Sequence, residues 1–135
     1  MIASCVFCRI VDGTIPTAKV AEDQATLAFL TVEPATEGHT LVIPKAHSRN
    51  LFDIPDSDLT AVVRMAKNIA QLQRERLGCE GVTLFQANEP AGFQTVFHFH
   101  VHVVPRWKGD SVRESWHARA ADLSRLEQVA RKLRA

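Results

Sequence analysis

Hydrophobic positions recur with two different periods along this chain, and the changes of period divide it into elements. The first stretch, Cys5 to Val11, ends at Asp12-Gly13, a turn signal, and Pro16 restarts the chain. Val20 to Asp23 and Ala25 to Leu30 read as two short strands around the polar Glu22-Asp23-Gln24 turn. Gly38 introduces His39-Thr40-Leu41-Val42-Ile43, a β-branched strand stopped by Pro44. From Asp56 the period becomes helical: Leu59, Val62, Val63, Ala66, Ile69, Ala70, Gln73 and Leu77 share a face. Asp56 or Ser57 is placed to cap that helix, and Gly78 to end it. Val82 to Ala87 returns to strand character, Asn88-Glu89-Pro90-Ala91-Gly92 is a loop, and Val96 to Val104 is a further strand closed by Pro105. From about Ala121 a last helix puts Leu123, Leu126, Val129, Ala130 and Leu133 on one face, with Arg and Lys opposite. Strands joined by short turns with one long inserted helix predict an α+β fold. Its antiparallel β-sheet should hold about five strands, packed by the long helix and followed by a C-terminal helix.

One segment stands out against this pattern. In His98-Phe99-His100-Val101-His102-Val103-Val104-Pro105-Arg106, strand geometry sends His98, His100 and His102 to one face and Phe99, Val101 and Val103 to the other. One face suits a core, and the other presents three imidazoles. Three readings fit: alternating polar residues without a shared task, ligands of a catalytic metal, and nucleophilic catalysis. Neighbouring members of the triad lie ~6.6–7 Å apart along a strand, so two can converge on one ion but three from one straight strand fit poorly. Neutral imidazole, with a free pKa of ~6.5, is a competent nucleophile at neutral pH without an activating base. Its attack on phosphorus gives a phosphoramidate that water can cleave, while a second imidazole on the same face orients the first or serves the leaving group.

Composition narrows the setting. At 135 residues the chain fits one domain, read as residues 1–135, and 46% hydrophobic with 23% charged residues is ordinary for a soluble globular protein. A formal charge of +1 points away from a nucleic-acid partner, which usually requires a basic excess. The N-terminus has neither a basic region nor a long apolar one, and no apolar run approaches the ~20 residues that span a bilayer. The expectation is a cytoplasmic protein with no membrane partner. Of the three cysteines, two form Cys5-x-x-Cys8, a spacing that favours a metal or redox pair over a disulfide framework. Two free thiols packed near the N-terminus are the other reading. A thioredoxin-like role fits less well, since no long helix follows the pair. Cys79, alone at a helix end, reads as inert.

The triad resembles that of the histidine-triad (HIT) superfamily of nucleotide hydrolases and transferases, in which the histidines alternate with apolar residues. Gly38-His39-Thr40-Leu41-Val42-Ile43-Pro44-Lys45 is similar to the family's second signature strand, and Gln94-Thr95-Val96 sits at the family's distance before the triad. With the N-terminal segment and the Asn88 loop, the resemblance covers roughly residues 4–107, leaving about 108–135 as a tail that carries the last helix. It implies that His100 attacks the α-phosphate, that His102 contacts phosphate or leaving group, and that His39 completes the network behind the nucleophile. Gln94 and Thr95 fall where members touch phosphate or the bridging atom, and Asn88 at a polar phosphate-side contact. Val6, Phe7, Ile10, Phe29 and Leu41 fall at the apolar nucleobase slot, although core packing is as good a reading for each. The implied substrates are nucleoside 5′-phosphoramidates, dinucleoside polyphosphates or adenylates, hence a purine nucleotide or nucleotide conjugate as partner, and the implied assembly is a homodimer.

Two residues depart from the family pattern. Thr31 stands where many members carry an Asp that grips the ribose hydroxyls, and a neutral hydroxyl makes the weaker contact. Phe93 stands between Gly92 and Gln94, where members often have Gly directly before Gln, so the phosphate end of the site should be narrower. Some members with the N-terminal cysteine pair hold structural zinc. The resemblance then makes Cys5, Cys8, His47 and His98 the ligands. A nucleotide-binding regulator whose turnover is incidental, with the basic tail helix docking a partner, is the alternative to an enzyme.

Overall fold

The computed structural model describes residues 1–113 and 118–134. The elements are α1 (Val6–Val11), β1 (Lys19–Glu22), β2 (Thr26–Leu30), β3 (Thr40–Pro44), α2 (Asp56–Leu77), β4 (Gly81–Phe85), β5 (Val101–Arg106) and α3 (Leu123–Leu133), with a short 3-10 turn at Pro90–Gly92. All strand pairs are antiparallel, and the sheet order is β1-β2-β3-β5-β4. The α+β reading holds, with a five-stranded antiparallel sheet.

The period-two pattern divides the buried residues between the two faces of that sheet. Ala28, Val42, Phe99, Val101 and Val103 pack with Val62, Met65, Ala66 and Ile69 of α2. Leu27, Phe29, Leu41 and Ile43, their alternate neighbours, pack with Phe7 of α1 on the other face. The triad histidines alternate with Phe99, Val101 and Val103, so they lie on the α1 face, away from the long helix.

Several boundaries differ from the sequence reading. Cys5 to Val11 contains a helix of its own, whose N-cap is Cys5; its sulfur accepts the Cys8 N–H at 3.4 Å. Helix α2 begins at Asp56 with Pro55 in the cap position and no side-chain cap, so neither Asp56 nor Ser57 caps it; Asp56 and Asp58 instead sit in the first turn, where negative charge favours the helix dipole. Gly78 ends it in the left-handed region at φ 66°, as read.

The largest shift concerns the triad strand, which starts at Val101 rather than Val96. The reason lies in the partner of the backbone: the Phe99 N–H donates to Ser48 O at 2.8 Å instead of to a sheet neighbour. Side-chain alternation survives without the ladder. Pro105 continues the strand rather than closing it. Strand β3 pairs only with Val101–Val103, so proline's missing N–H costs no ladder bond on that side.

Buried Gln73 of α2 bridges the sheet, donating to Gly38 O and Val103 O at 3.0 Å each, which fixes the loop that precedes His39. Gly38 is at φ +94°, and a Cβ there would collide with Leu77. On α3 no residue is buried, and Leu123, Leu126, Val129 and Leu133 are all exposed. Its apolar face is therefore as open as its basic one. Among the described residues, no helix is long and apolar enough to cross a membrane.

Candidate active site and metal centre

Hydrogen bonds to groups of fixed polarity assign the proton on each ring of the triad face. His100 is 4% exposed, and its Nδ1 lies 2.8 Å from the carbonyl of His98. A carbonyl only accepts, so Nδ1 carries the proton and the Nε2 lone pair is left for attack. His39 starts a second chain. The Ala35 N–H donates to His39 Nδ1 at 3.0 Å, which makes Nε2 the protonated nitrogen. That Nε2–H donates to His102 Nδ1 at 2.9 Å, so His102 in turn carries its proton on Nε2. The His100 and His102 ring centroids are 5.0 Å apart. A nucleophilic lone pair thus stands beside a hydrogen-bond donor.

This assignment requires neutral rings, and burial supplies them. Desolvation lowers the pKa of His39 and His100. It also lowers His102, with help from neighbouring His100 and His39, to about 3. A histidine depressed on folding adds stability that is complete above its unfolded pKa of ~6.5 and is lost as pH falls below it. Thermal melts should therefore show a lower midpoint at pH 5 than at pH 7.5. A midpoint that rises on acidification would contradict neutral His39 and His102.

His98 does different work. Its Nε2–H donates to Pro44 O at 2.8 Å, which leaves the Nδ1 lone pair facing Cys5 Sγ at 3.4 Å and Cys8 Sγ at 3.6 Å. His47 Nδ1 lies 3.4 Å from Cys8 Sγ. Donor atoms of Cys5, Cys8, His47 and His98 all lie within 4.8 Å of one another, so this group can bind a metal ion. The donor set fits zinc: two thiols, two imidazoles, and an outer carbonyl that fixes the tautomer of one of them. The triad rings themselves do not converge on a point. His98 turns to the cysteines, His100 to a backbone carbonyl and His102 to His39, which removes the geometric basis for a metal held by all three.

Phe7, Ile10, Phe29 and Leu41 come together in the α1-side cluster. Phe7 touches Phe29 edge-on at 5.5 Å and His100 edge-on at 5.2 Å, joining that apolar cluster to the middle triad ring. Val6 is 39% exposed and stands outside that cluster. Thr31 follows β2, where its hydroxyl accepts the Glu33 N–H at 3.2 Å and keeps its own proton to donate. Thr95 is exposed.

The two amides expected near phosphate are occupied. Gln94 accepts from Glu89 N–H at 2.8 Å and from Asn50 at 3.2 Å, and donates to Arg49 O and Val96 O at 2.7 and 3.0 Å. Asn88 accepts the Leu51 N–H at 2.7 Å and exchanges bonds with Gln86. Both side chains lace the loop before the triad to the Arg49–Asp53 segment. That loop bends through two non-glycine residues at positive φ, Glu89 (64°) and Phe93 (72°). The Glu89 carboxylate takes two bonds from Arg49, at 2.7 and 2.8 Å, and Arg49 lies over the Phe97 ring at 4.2 Å. The sequence reading missed the Arg49–Glu89 clamp, the Ala35 N–H and the Pro44 carbonyl. No local motif announces them, because each partner is remote or is backbone.

The HIT domain profile matches residues 12–109. The adenosine 5′-monophosphoramidase HNT1 of Candida albicans is 35% identical over 137 aligned positions, covering 98% of this chain and 90% of its own. The crystal structure of SMU.412c from Streptococcus mutans superposes with a TM-score of 0.94 at 38% identity, covering 99% of this chain and 85% of that one. A zinc-bound histidine triad family protein from Mycobacterium smegmatis superposes with a TM-score of 0.79 at 39% identity, covering 96% and 91%. A profile that matches most of the chain, with relatives aligned along nearly all of it, establishes that this protein belongs to the HIT family.

Proposed function

We propose that this chain is a nucleotide hydrolase that cleaves at the α-phosphate of nucleoside 5′-phosphoramidates or related adenylates and dinucleoside polyphosphates, through a nucleotidyl intermediate on His100. The observation that carries the reading is the pair of tautomers, a His100 Nε2 lone pair beside a His102 Nε2–H. The name of the Candida relative supports a phosphoramidate as substrate.

In the first step the His100 Nε2 lone pair forms the N–P bond while the bond from phosphorus to the leaving nitrogen breaks. The amine keeps the electron pair and takes its proton from water. His102 donates a hydrogen bond to the leaving atom without giving up its proton, because a neutral imidazole that lost it would become an anion. Water then attacks phosphorus, the P–N bond to His100 breaks, and the nucleoside monophosphate leaves. Both steps depend mainly on positioning and on stabilising developing charge, which suits a buried network of neutral donors. The cluster of Phe7, Phe29 and Leu41 forms the nucleobase wall in this reading. A zinc ion held by Cys5, Cys8, His47 and His98 would have a structural role, holding α1 against the triad segment. The implied homodimer belongs to the same proposal, and the outer edge of β4 offers an open sheet edge for it.

The test is to mix the protein with adenosine 5′-phosphoramidate and quench within one turnover. Expected is an AMP adduct on the peptide that contains His100. Turnover without an adduct at any time would reject the covalent route, and no turnover on any of the three substrate classes would reject the hydrolase. Thr31 supplies a second expectation. Thr31→Asp should raise the preference for ribo- over 2′-deoxyribonucleotides roughly fivefold in kcat/KM, since a carboxylate accepts stronger hydrogen bonds from the hydroxyls. An unchanged ratio would mean that Thr31 does not face the ribose.

A further inference from the structure

Phe85 ends β4 and is the cross-strand partner of His102. The two rings are stacked, with centroids 3.9 Å apart and planes within 8° of parallel. The stack is unusual in what it does not provide. Phe85 remains 47% exposed at the end of an edge strand and belongs to neither buried cluster, so burial of its own apolar surface explains little of its placement.

Its effect on His102 is more definite. The χ2 torsion of histidine is broad, and a hydrogen bond at Nδ1 tolerates misalignment of about 30°, so that bond alone holds the ring only within that latitude. Among the described residues, that ring meets His39 at Nδ1, His100 at a centroid distance of 5.0 Å and an angle of 60°, and Phe85 flat against one face. Of these, the flat contact resists any tilt of the ring most directly. With Nδ1 tied and the plane set, the direction of the Nε2–H bond is determined.

We propose that Phe85 is a positioning residue whose ring sets the plane of His102 and so aims its Nε2–H at the leaving atom. This rests on the hydrolase reading above. The hydrogen bond from His102 matters in proportion to the negative charge that builds on the leaving atom as the bond to phosphorus breaks. A strongly basic alkylamine therefore depends on it, whereas a nitrophenolate, stable with its own charge, depends on it little. Phe85 also shields one face of the His102 ring from water, in keeping with the neutral state of that histidine.

The experiment compares Phe85→Ala, Phe85→Leu and Phe85→Trp with the unaltered protein on two AMP conjugates, one with an alkylamine and one with 4-nitrophenol. Phe85→Ala and Phe85→Leu should each lower kcat for the alkylamine conjugate roughly tenfold and leave the nitrophenyl ester within about twofold. KM should hold for both, and Phe85→Trp, which restores a flat ring, should recover the loss. Equal losses on both substrates, or a fully active Phe85→Leu, would overturn the proposal. A second readout is independent of turnover: NMR relaxation of the His102 ring should report a rigid ring in the unaltered protein and clearly greater ring motion in Phe85→Ala, with the Nε2–H tautomer kept in both because His39 fixes it. Ring order at His102 that is unchanged in Phe85→Ala would also overturn it. If the unaltered protein turns over neither conjugate, the hydrolase reading fails, and the NMR comparison still decides whether Phe85 locks the ring.

Discussion

His100→Ala is expected to lower kcat on a nucleoside phosphoramidate by at least ~10⁴-fold while nucleotide Kd stays within roughly tenfold. The asymmetry follows from where the residue stands. In the proposed mechanism its Nε2 forms a bond only after substrate is seated, so removing it takes away a transition-state interaction. In the proposed reading, ground-state affinity resides elsewhere, chiefly in the apolar cluster of Phe7, Phe29 and Leu41. Some affinity will be lost, because Phe7 packs edge-on against the His100 ring and the cavity left by alanine loosens that wall. Single-turnover kinetics and equilibrium nucleotide titration measure the two quantities separately. A kcat within tenfold of the unaltered protein would exclude His100 as nucleophile. A parallel collapse of Kd would show that the ring serves binding instead.

Cys5→Ser is expected to abolish zinc binding and to lower the melting midpoint by about 10 °C, whereas His100→Ala keeps the metal. The four residues that could hold the metal join three separate parts of the chain: Cys5 and Cys8 from the N-terminal segment, His47 just beyond β3, and His98 before β5. Such a link stabilises the folded state by the metal's binding energy, which is folding energy at a site of this kind. The loss should fall far short of the ~10–16 kcal/mol seen in zinc-finger peptides, since the sheet and α2 form a core that needs no metal. About 3 kcal/mol is a reasonable share, and for a domain of this size that is roughly 10 °C. Activity should fall second and by less. The route is short: the ligand ring of His98 and the carbonyl that holds His100 belong to the same residue. Metal analysis with thermal melts of both variants decides the matter. Zinc retained in Cys5→Ser and lost in His100→Ala would move the metal to the triad.

Much of this protein could be read from residue order. Alternation in the triad segment foretold which side chains face α2 and which face the site, because Cβ directions alternate along any extended backbone whether or not it joins a ladder. The helical period of Leu59 to Leu77 and the glycine that ends α2 depend on neighbours three or four residues away, so a linear reading finds them. The Gly38–Lys45 strand and the histidine triad led to the HIT family for the same reason. The helix at Val6–Val11 escaped notice because it is less than two turns long and takes its cap from a cysteine.

What the residue order left open was decided by contacts between distant segments. Gln94 and Asn88 read in the sequence as polar residues available to a phosphate, and only the fold shows their amides engaged by Arg49, Asn50, Leu51 and Gln86. The tautomers of His100, His39 and His102 are set by the His98 carbonyl, Ala35 N–H and His39, and a phenylalanine on the neighbouring strand stacks flat on His102. A side chain carries its chemistry in its identity, but a proton on one nitrogen rather than the other is a property of what lies within about 3 Å of it. The sequence by itself therefore determined which groups this protein has for its chemistry. The tertiary structure decided which of their atoms are available, because hydrogen bonds act over ångströms of space and not over positions in a chain.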